Sequence, residues 1–165
     1  MKVVLINPPD DFLENSGDRP CLGLAYLAGY AQDYGFNDIQ IVDMNHDSEI
    51  PSADIYGITA TTPSYASALK IAKELKKKYH KPLILGGAHA SAVPRTIAIF
   101  DKIIVGEGKR SFVKVLRGEV SERIVKSPLI DDLDEIPMPA WNLLPMEKYK
   151  LKLNNKPATS LITSR

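Results

Sequence analysis

The sequence predicts an α/β protein: a doubly wound, five-stranded parallel sheet with helices on both faces and a C-terminal linker tail. Five short runs are almost continuously apolar and rich in β-branched residues, which is typical of strands covered on both faces. Segments with helical spacing of apolar residues lie between several of these runs, and such alternation favours a parallel sheet. The 165-residue length and a composition of 44% hydrophobic and 25% charged residues are those of an ordinary globular chain.

The predicted elements follow one another regularly along the first two thirds of the chain. Strands are predicted at 2–7, 38–43, 53–59, 82–86 and 102–105, and helices at 22–34, 63–79 and 111–116. In the first helix Leu24, Leu27, Ala28 and Ala31 share one face, and Gly35 is a favourable terminator. The segment between the first strand and the first helix contains three prolines and no periodicity, so it is predicted to be a long loop.

The alternation of strands and helices ends at Gly118. We therefore divide the chain into an α/β domain at 1–118, a hairpin and linker at 119–157, and a terminal segment at 158–165. The hairpin is predicted at 119–126, and the linker is indicated by the acidic, proline-rich sequence DDLDEIPMPAW. The terminal segment resembles a strand that begins a further domain, which predicts that the chain is the N-terminal part of a longer protein.

Charge and cysteine content exclude several functional classes. With 21 Lys and Arg against 20 Asp and Glu, the net charge of +1 provides no bulk attraction to nucleic acid or to an anionic membrane. The single cysteine, Cys21, cannot form an internal disulfide, and no apolar run approaches the roughly 18 residues that a membrane span needs. A cytoplasmic protein that recognises its partner by shape is expected.

Small or polar residues follow three consecutive predicted strands, where open parallel sheets bind ligands. They are Thr59, Thr61 and Thr62 after the third strand, Gly86, Gly87 and Ala88 after the fourth, and Gly106, Glu107 and Gly108 after the fifth. Adjacent glycines allow a flat group to approach the backbone, and threonine hydroxyls can hydrogen-bond it. Taken singly, each stretch is explained more simply, by a tight turn or by a helix N-terminus.

Common phosphate and metal sites are not predicted. The first strand is followed by NPPD rather than G-x-G-x-x-G, and Gly106 to Lys109 lack the upstream glycine of a Walker loop. A phosphoacceptor domain would require the third strand to end in aspartate, but it ends in Thr59. The three histidines and Cys21 have no paired ligand spacing, so neither a metal centre nor a catalytic residue is assigned.

In their order and spacing, six short motifs resemble a known family. They are NPP at 7–9, RP with LGLAYLA at 19–28, DIYGI at 54–58, LGGAH at 85–89, VGEG at 105–108, and LDEIP with PAW at 133–141. Together they are similar to the cobalamin-binding N-terminal domain of cobalamin-dependent radical S-adenosylmethionine (SAM) enzymes, which has a Rossmann-like or flavodoxin-like fold. The resemblance extends over nearly the whole chain.

The resemblance implies that the domain binds cobalamin, with the nucleotide tail of the corrinoid directed toward the sheet and the corrin ring over the carboxyl ends of the strands. Thr59 and Thr61 match the family's polar pair, and Gly86 and Gly87 match the glycines beside the dimethylbenzimidazole. Gly106, Glu107 and Gly108 match the loop beneath the tail. With their neighbours Thr62 and Ala88, these residues form the expected cofactor-binding set.

One departure from the family concerns the cobalt. Many cobalamin domains carry D-x-H-x-x-G after the first strand, but the loop at 10–21 contains no histidine. His46 follows the second strand, where neither its position nor its spacing fits this motif. The resemblance therefore implies base-off cobalamin without an axial histidine.

The terminal LITSR resembles the first strand of a radical SAM barrel, but the CxxxCxxC motif that binds a [4Fe-4S] cluster is absent from this sequence. The chain alone is therefore expected to be non-catalytic. Its parent is expected to use the cluster and SAM as a methyltransferase on an unactivated carbon, or as an oxidative cyclase, and the expected partners are a corrinoid and the radical SAM domain of the same polypeptide. The alternative is a degenerate domain that serves in docking or substrate recognition without corrinoid.

Overall fold

The computed structural model describes residues 1–94 and 98–161, and its central feature is a parallel sheet. The strands are β1 (Val3–Asn7), β2 (Ile39–Asp43), β3 (Ile55–Thr59), β4 (Leu83–Gly86), β5 (Lys102–Gly106) and β6 (Ile124–Ser127), in the spatial order β2-β1-β3-β4-β5-β6. All neighbouring strands in this sheet are parallel. The doubly wound parallel α/β prediction is confirmed, with six strands in the sheet of the described residues where five were predicted.

Four α-helices accompany the sheet in the described part of the chain: α1 (Leu22–Asp33), α2 (Tyr65–Tyr79), α3 (Ala88–Ala92) and α4 (Lys109–Leu116). Alternate residues of β1 belong to two separate cores because successive side chains of a strand point to opposite faces. Val3 and Leu5 pack with α1 and α4, whereas Val4 and Ile6 pack with α2. The five-residue α3 was not predicted from the sequence. No helix in the described ranges is long and apolar enough to cross a membrane.

The predicted hairpin at 119–126 is wrong, because its second half is the sixth strand of the main sheet. Residues of β6 pair with β5 from Ile103 and Ile124 to Gly106 and Ser127. The segment before β6 is a loop held by Lys102, whose Nζ donates to the carbonyl oxygens of residues 120, 121 and 122 at 2.8 Å each. The Lys102 ammonium group, and not a partner strand, thus forms hydrogen bonds with these carbonyl oxygens. The main sheet therefore continues beyond Gly118, where the α/β domain was predicted to end.

The segment at 128–149, which we call the strap, was interpreted as a linker but packs against α1. Ala140 and Leu144 are buried in the core, and the Ala140 amide donates to the carbonyl oxygen of Ala25 at 3.0 Å. A Cβ on Gly29 would lie 2.6 Å from the Met138 carbonyl oxygen, so the close approach requires glycine. The buried contacts are made by a few apolar residues within a polar, proline-rich segment, which is why the local composition misled the interpretation.

The strap contains three short 3-10 turns at Leu133–Glu135, Trp141–Leu143 and Met146–Lys148, and is followed by an antiparallel pair, β7 (Lys152–Leu153) and β8 (Lys156–Pro157). The predicted terminal strand at 158–165 falls partly outside the described residues. Residues 158–161 form no regular element, and the others lie beyond the described ranges.

Candidate functional site

A cavity of about 250 Å³ lies at the carboxyl end of the sheet, between the strands and the helices α1 and α4. Two rows on the same face of the sheet, two residues apart along β3, contribute to its floor. Leu5, Gly57 and Ile84 form one row, in which they are paired in register, and Thr59 and Gly86 are paired in the row closer to the carboxyl edge. Leu24, Leu27, Ile104 and Phe112 complete much of the apolar lining. The cavity adjoins the place where the strand order reverses between β1 and β3, the usual ligand position in such sheets.

Missing side chains keep part of this cavity open. An ideal Cβ on Gly86 would meet no heavy atom within 4 Å, and the same is true of Gly23 at the start of α1. A Cβ on Gly108 would meet the side chains of Ile104 and Leu27 at ordinary contact distances of 3.6 and 3.8 Å. A side chain at Gly86 would therefore occupy space that the fold leaves free for another group.

Gly87 and Gly106 are glycines for a different reason. Their φ angles are +94° and +89°, and added Cβ atoms would lie 2.7 Å from the carbonyl oxygens of Ala60 and Ser127, respectively. Gly87 also has ψ of −175°, a combination essentially restricted to glycine. The backbone requires Gly87 and Gly106 whether or not a ligand binds. Of the two adjacent glycines Gly86 and Gly87, only Gly86 provides open space.

The charged groups of the lining are already paired. Lys109 Nζ lies 2.7 Å from Glu107 Oε1, and Glu107 Oε2 accepts a hydrogen bond from the Ile130 amide at 3.0 Å. The Glu107 carbonyl oxygen also accepts a hydrogen bond from the Ser127 hydroxyl. Lys109 Nζ lies 5.6 Å from the ring centroid of Tyr26, within range of a cation–π interaction. The Glu107 carboxylate thus joins the loop after β5 to the strap.

Three of the expected cofactor-binding residues do not line the cavity. Thr61 and Ser64 exchange hydrogen bonds at the start of α2, where the Thr61 amide donates to Ser64 Oγ at 3.0 Å and the Ser64 amide donates to Thr61 Oγ1 at 3.3 Å. Thr62 Oγ1 lies 3.2 Å from His89 Nδ1, and exposed Ala88 begins α3. The two threonine hydroxyls are thus engaged near a helix terminus, as the simpler sequence interpretation allowed.

The other expected residues do meet at the cavity, and further lining residues were not assigned from the sequence. Thr59, Gly86, Gly87, Gly106, Glu107 and Gly108 are all in the lining. The residues missed are Leu5, Gly23, Leu24, Tyr26, Leu27, Gly57, Ile58, Ile84, Ile104, Lys109 and Phe112. The motif LGLAYLA, which contributes four of them, was recognised, but its helical periodicity was attributed entirely to core packing.

None of the chain's three histidines, all in the described ranges, lines the cavity. His46 Nε2 lies 2.7 Å from the Gly17 carbonyl oxygen, and its ring packs edge-on against Tyr149. The ring of buried His89 stacks on Tyr65 with centroids 3.9 Å apart. His80 ends α2 in the left-handed conformation. The two partly or fully buried imidazoles thus have structural partners elsewhere.

A buried polar network is centred on Asp43, the last residue of β2. Asp43 is completely buried and accepts hydrogen bonds from Asn7 Nδ2 at 3.0 Å, Asn45 Nδ2 at 2.7 Å and the Tyr149 hydroxyl at 2.9 Å. Burial, together with the nearby Asp43 carboxylate, raises the pKa of Tyr149 well above its usual value. Burial likewise raises the pKa of the Cys21 thiol to about 11. The network connects β1, β2 and the strap through one carboxylate.

The structure is that of an open α/β domain with a largely apolar cavity at the carboxyl ends of its strands. The model of the B12 binding domain family matches residues 13–116, which include α1, α2, α4 and four strands of the sheet. The chain belongs to this B12-binding family, and the family resemblance expected from the sequence motifs is confirmed.

Two curated relatives and one solved structure show the wider similarity. The chain is 31% identical to an uncharacterized methyltransferase of Pyrococcus horikoshii, over all of this chain and 43% of that protein. It is 29% identical to the anaerobic magnesium-protoporphyrin IX monomethyl ester cyclase of Rubrivivax gelatinosus, over 90% of this chain and 34% of that protein. The chain thus spans less than half the length of either relative.

The solved structure is that of the cobalamin-dependent S-adenosylmethionine radical enzyme OxsB with aqua-cobalamin bound. It superposes with a TM-score of 0.66 and 16% identity, over 86% of this chain and 24% of that one. At this identity the comparison establishes a shared fold.

Proposed function

We propose that the cavity between the sheet and α1 and α4 receives the lower base of cobalamin, and that the corrin ring lies over the carboxyl ends of the strands. The observation that supports this most directly is Gly86, whose missing side chain leaves open space on a mainly apolar floor. A flat aromatic base fits such a site because it is apolar and thin. Thr59, Gly86, Gly87, Gly106, Glu107 and Gly108 are the expected residues that would surround the nucleotide.

This chain's own residues would bind and orient the cofactor. Leu24 and Leu27 of α1 and Phe112 of α4 would cover the base and exclude water from it, while the Glu107–Lys109 pair would fix the loop beneath the nucleotide. Thr61, Thr62 and Ala88 would act indirectly, by holding the segments after β3 and β4. Cobalamin, when bound, supplies a cobalt centre able to carry a methyl group.

The bound cofactor is proposed to be base-off. A base held in the cavity is separated from the cobalt, and the histidines lie outside the cavity lining. His46 and His89 are further engaged by Gly17 and Tyr65, respectively. No protein nitrogen is therefore expected below the metal.

The parent protein is proposed to be a radical SAM enzyme in which this domain holds cobalamin for a second domain carrying the [4Fe-4S] cluster and SAM. The relatives named as a methyltransferase and a cyclase are both longer than this chain, and the structural neighbour is a cobalamin-dependent radical SAM enzyme. Methylation of an unactivated carbon is the activity we propose for the parent.

The test is to incubate the chain with hydroxocobalamin, remove free cofactor by gel filtration, and record the absorbance spectrum and the electron paramagnetic resonance of the reduced Co(II) state. We expect retained corrinoid with a base-off spectrum and no splitting of the cobalt lines by a coordinated nitrogen. His46→Ala and His89→Ala should leave the spectra of bound cofactor unchanged. Absence of retained corrinoid would favour the docking module, and nitrogen splitting lost in either variant would identify an axial histidine.

A further inference from the structure

The inner part of the cavity is lined by apolar side chains that are shielded from water. Leu5, Leu24, Ile84, Ile104 and Phe112 each expose 4% or less of their surface. A group that enters among them loses its contact with solvent. Any polar atom that it carries must then find a hydrogen-bond partner in the protein or lose the one it had in water.

The peptide groups of the floor are poor partners for such an atom. Gly57 lies in the middle of β3 and is paired in register with Leu5 of β1 on one side and with Ile84 of β4 on the other. Hydrogen bonds in a sheet run in its plane, whereas a base resting on the floor contacts its face. Gly57 itself is buried, and the Leu5 side chain covers its face, where an added Cβ would lie 2.8 Å from Leu5 Cδ2. The floor therefore presents apolar side-chain atoms to the base and no hydrogen-bonding group directed at it.

The polar side chains of the lining lie toward the carboxyl edge or among the helices. Thr59 is the last residue of β3, and the Glu107–Lys109 pair follows β5, where Lys109 also approaches the Tyr26 ring. Glu107 already accepts the Ile130 amide, so recruiting either charged group to a ligand would disrupt the contact between this loop and the strap. An atom buried beside Leu5 and Ile84 therefore lies deeper in the sheet than Thr59, which is two residues further along β3 than Gly57, and the charged groups of the lining are engaged with each other.

We propose that the cavity discriminates among corrinoids by the polarity of their lower base, accepting an apolar benzimidazole and disfavouring a purine. This selectivity rests on the proposed cobalamin-binding function and goes beyond it. Adenine has an exocyclic amino group and additional ring nitrogens, and dimethylbenzimidazole has methyl groups at the corresponding end. Leaving one such polar group buried and unpaired should weaken binding about tenfold to a hundredfold.

The experiment compares three probes on the full chain: cobalamin, the corresponding corrinoid with adenine as lower base, and cobinamide, which has no nucleotide. Dissociation constants are measured by absorbance titration or calorimetry. We expect cobalamin to bind about tenfold to a hundredfold more tightly than the adenine corrinoid, and cobinamide to bind more weakly than cobalamin. Equal affinities for the two complete corrinoids would overturn the selectivity while leaving corrinoid binding intact.

A pair of variants on one helix tests whether the lining causes the selectivity. Leu27→Gln places an amide at the cavity, and Leu22→Gln makes the same change on α1 outside the lining; both leucines are half-buried. The ratio of the two affinities should fall severalfold in Leu27→Gln and stay unchanged in Leu22→Gln, with melting temperatures confirming that both variants fold. An unchanged ratio in folded Leu27→Gln would also overturn the proposal. If none of the three probes binds the unmodified chain, the proposed function itself fails.

Discussion

Gly86→Val is the sharpest test of the cavity, because the structure separates its effect on binding from its effect on folding. Gly86 is the last residue of β4, it does not have a positive φ, and its ideal Cβ meets nothing within 4 Å. Glycine in a strand is destabilising by roughly 0.5–1 kcal/mol, and valine is among the residues that strands favour. The variant should therefore fold with an unchanged or slightly higher free energy of unfolding.

Corrinoid binding should fall steeply in the same variant. The added methyl groups project into the cavity of about 250 Å³, from the row of the floor that also contains Thr59. An aromatic bicycle buries roughly 150–250 Å² of mostly apolar surface, which at about 25 cal/mol per Å² corresponds to about 4–6 kcal/mol. Exclusion of the base should thus raise the dissociation constant for cobalamin on the order of a thousandfold.

The assay is a cobalamin titration alongside urea denaturation, with Gln40→Val as the matched control. Gln40 is exposed on the edge strand β2 and lies outside the cavity, so its replacement adds a valine to the sheet without filling the site. Cobalamin affinity should be unchanged in this control. If folded Gly86→Val binds cobalamin within about threefold of the unmodified chain, the base does not occupy this cavity and the reasoning is refuted.

Four further outcomes are expected. Gly87→Ala should lower the free energy of unfolding by about 1–3 kcal/mol in urea denaturation, because φ of +94° with ψ of −175° strains any residue with a Cβ. Unchanged stability would show that the turn relaxes around the alanine. Tyr149→Phe should cost about 1.5 kcal/mol near neutral pH through loss of the hydrogen bond to Asp43. Because the pKa of Tyr149 is raised in the folded protein, its contribution to the free energy of unfolding is complete below the usual tyrosine pKa of about 10 and is lost as the pH rises beyond that value. Tyr149→Phe should therefore lose less stability at alkaline pH than the unmodified chain. Equal alkaline profiles of the two proteins would contradict this reasoning. Cys21, with a pKa of about 11, should react with iodoacetamide at pH 8 on the order of a hundredfold more slowly than a free thiol, and a normal rate would show that it is not shielded. The loop after β1, in which Phe12 is 80% exposed, is expected to order over the corrin ring because it lies at the carboxyl end of its strand. Cobalamin should therefore slow proteolysis at Phe12, and an unaffected cleavage rate would contradict this expectation.

The sheet was largely predictable because its information is local. Each buried parallel strand needs an apolar run, and each helix needs its own periodicity, so most elements could be located within a few residues. Besides the short helix α3, Ile124–Ser127 was not located: this short run is equally compatible with a hairpin, and only its pairing with β5 shows that it belongs to the main sheet. The strap was missed for a related reason, because its few buried residues are separated by polar and proline positions.

For the candidate site, the order of residues along the chain predicted small and polar residues at the ends of three neighbouring strands, and a parallel sheet brings those strand ends to one edge. The sequence could not distinguish the open space at Gly86 from the backbone requirement at Gly87. The two adjacent glycines differ only in φ and in the atoms that an added Cβ would meet. Nor could it place Lys109 against Glu107, or Tyr149 against Asp43 more than a hundred residues earlier. Such contacts depend on where separate helices and loops pack in three dimensions, which neither periodicity nor composition encodes.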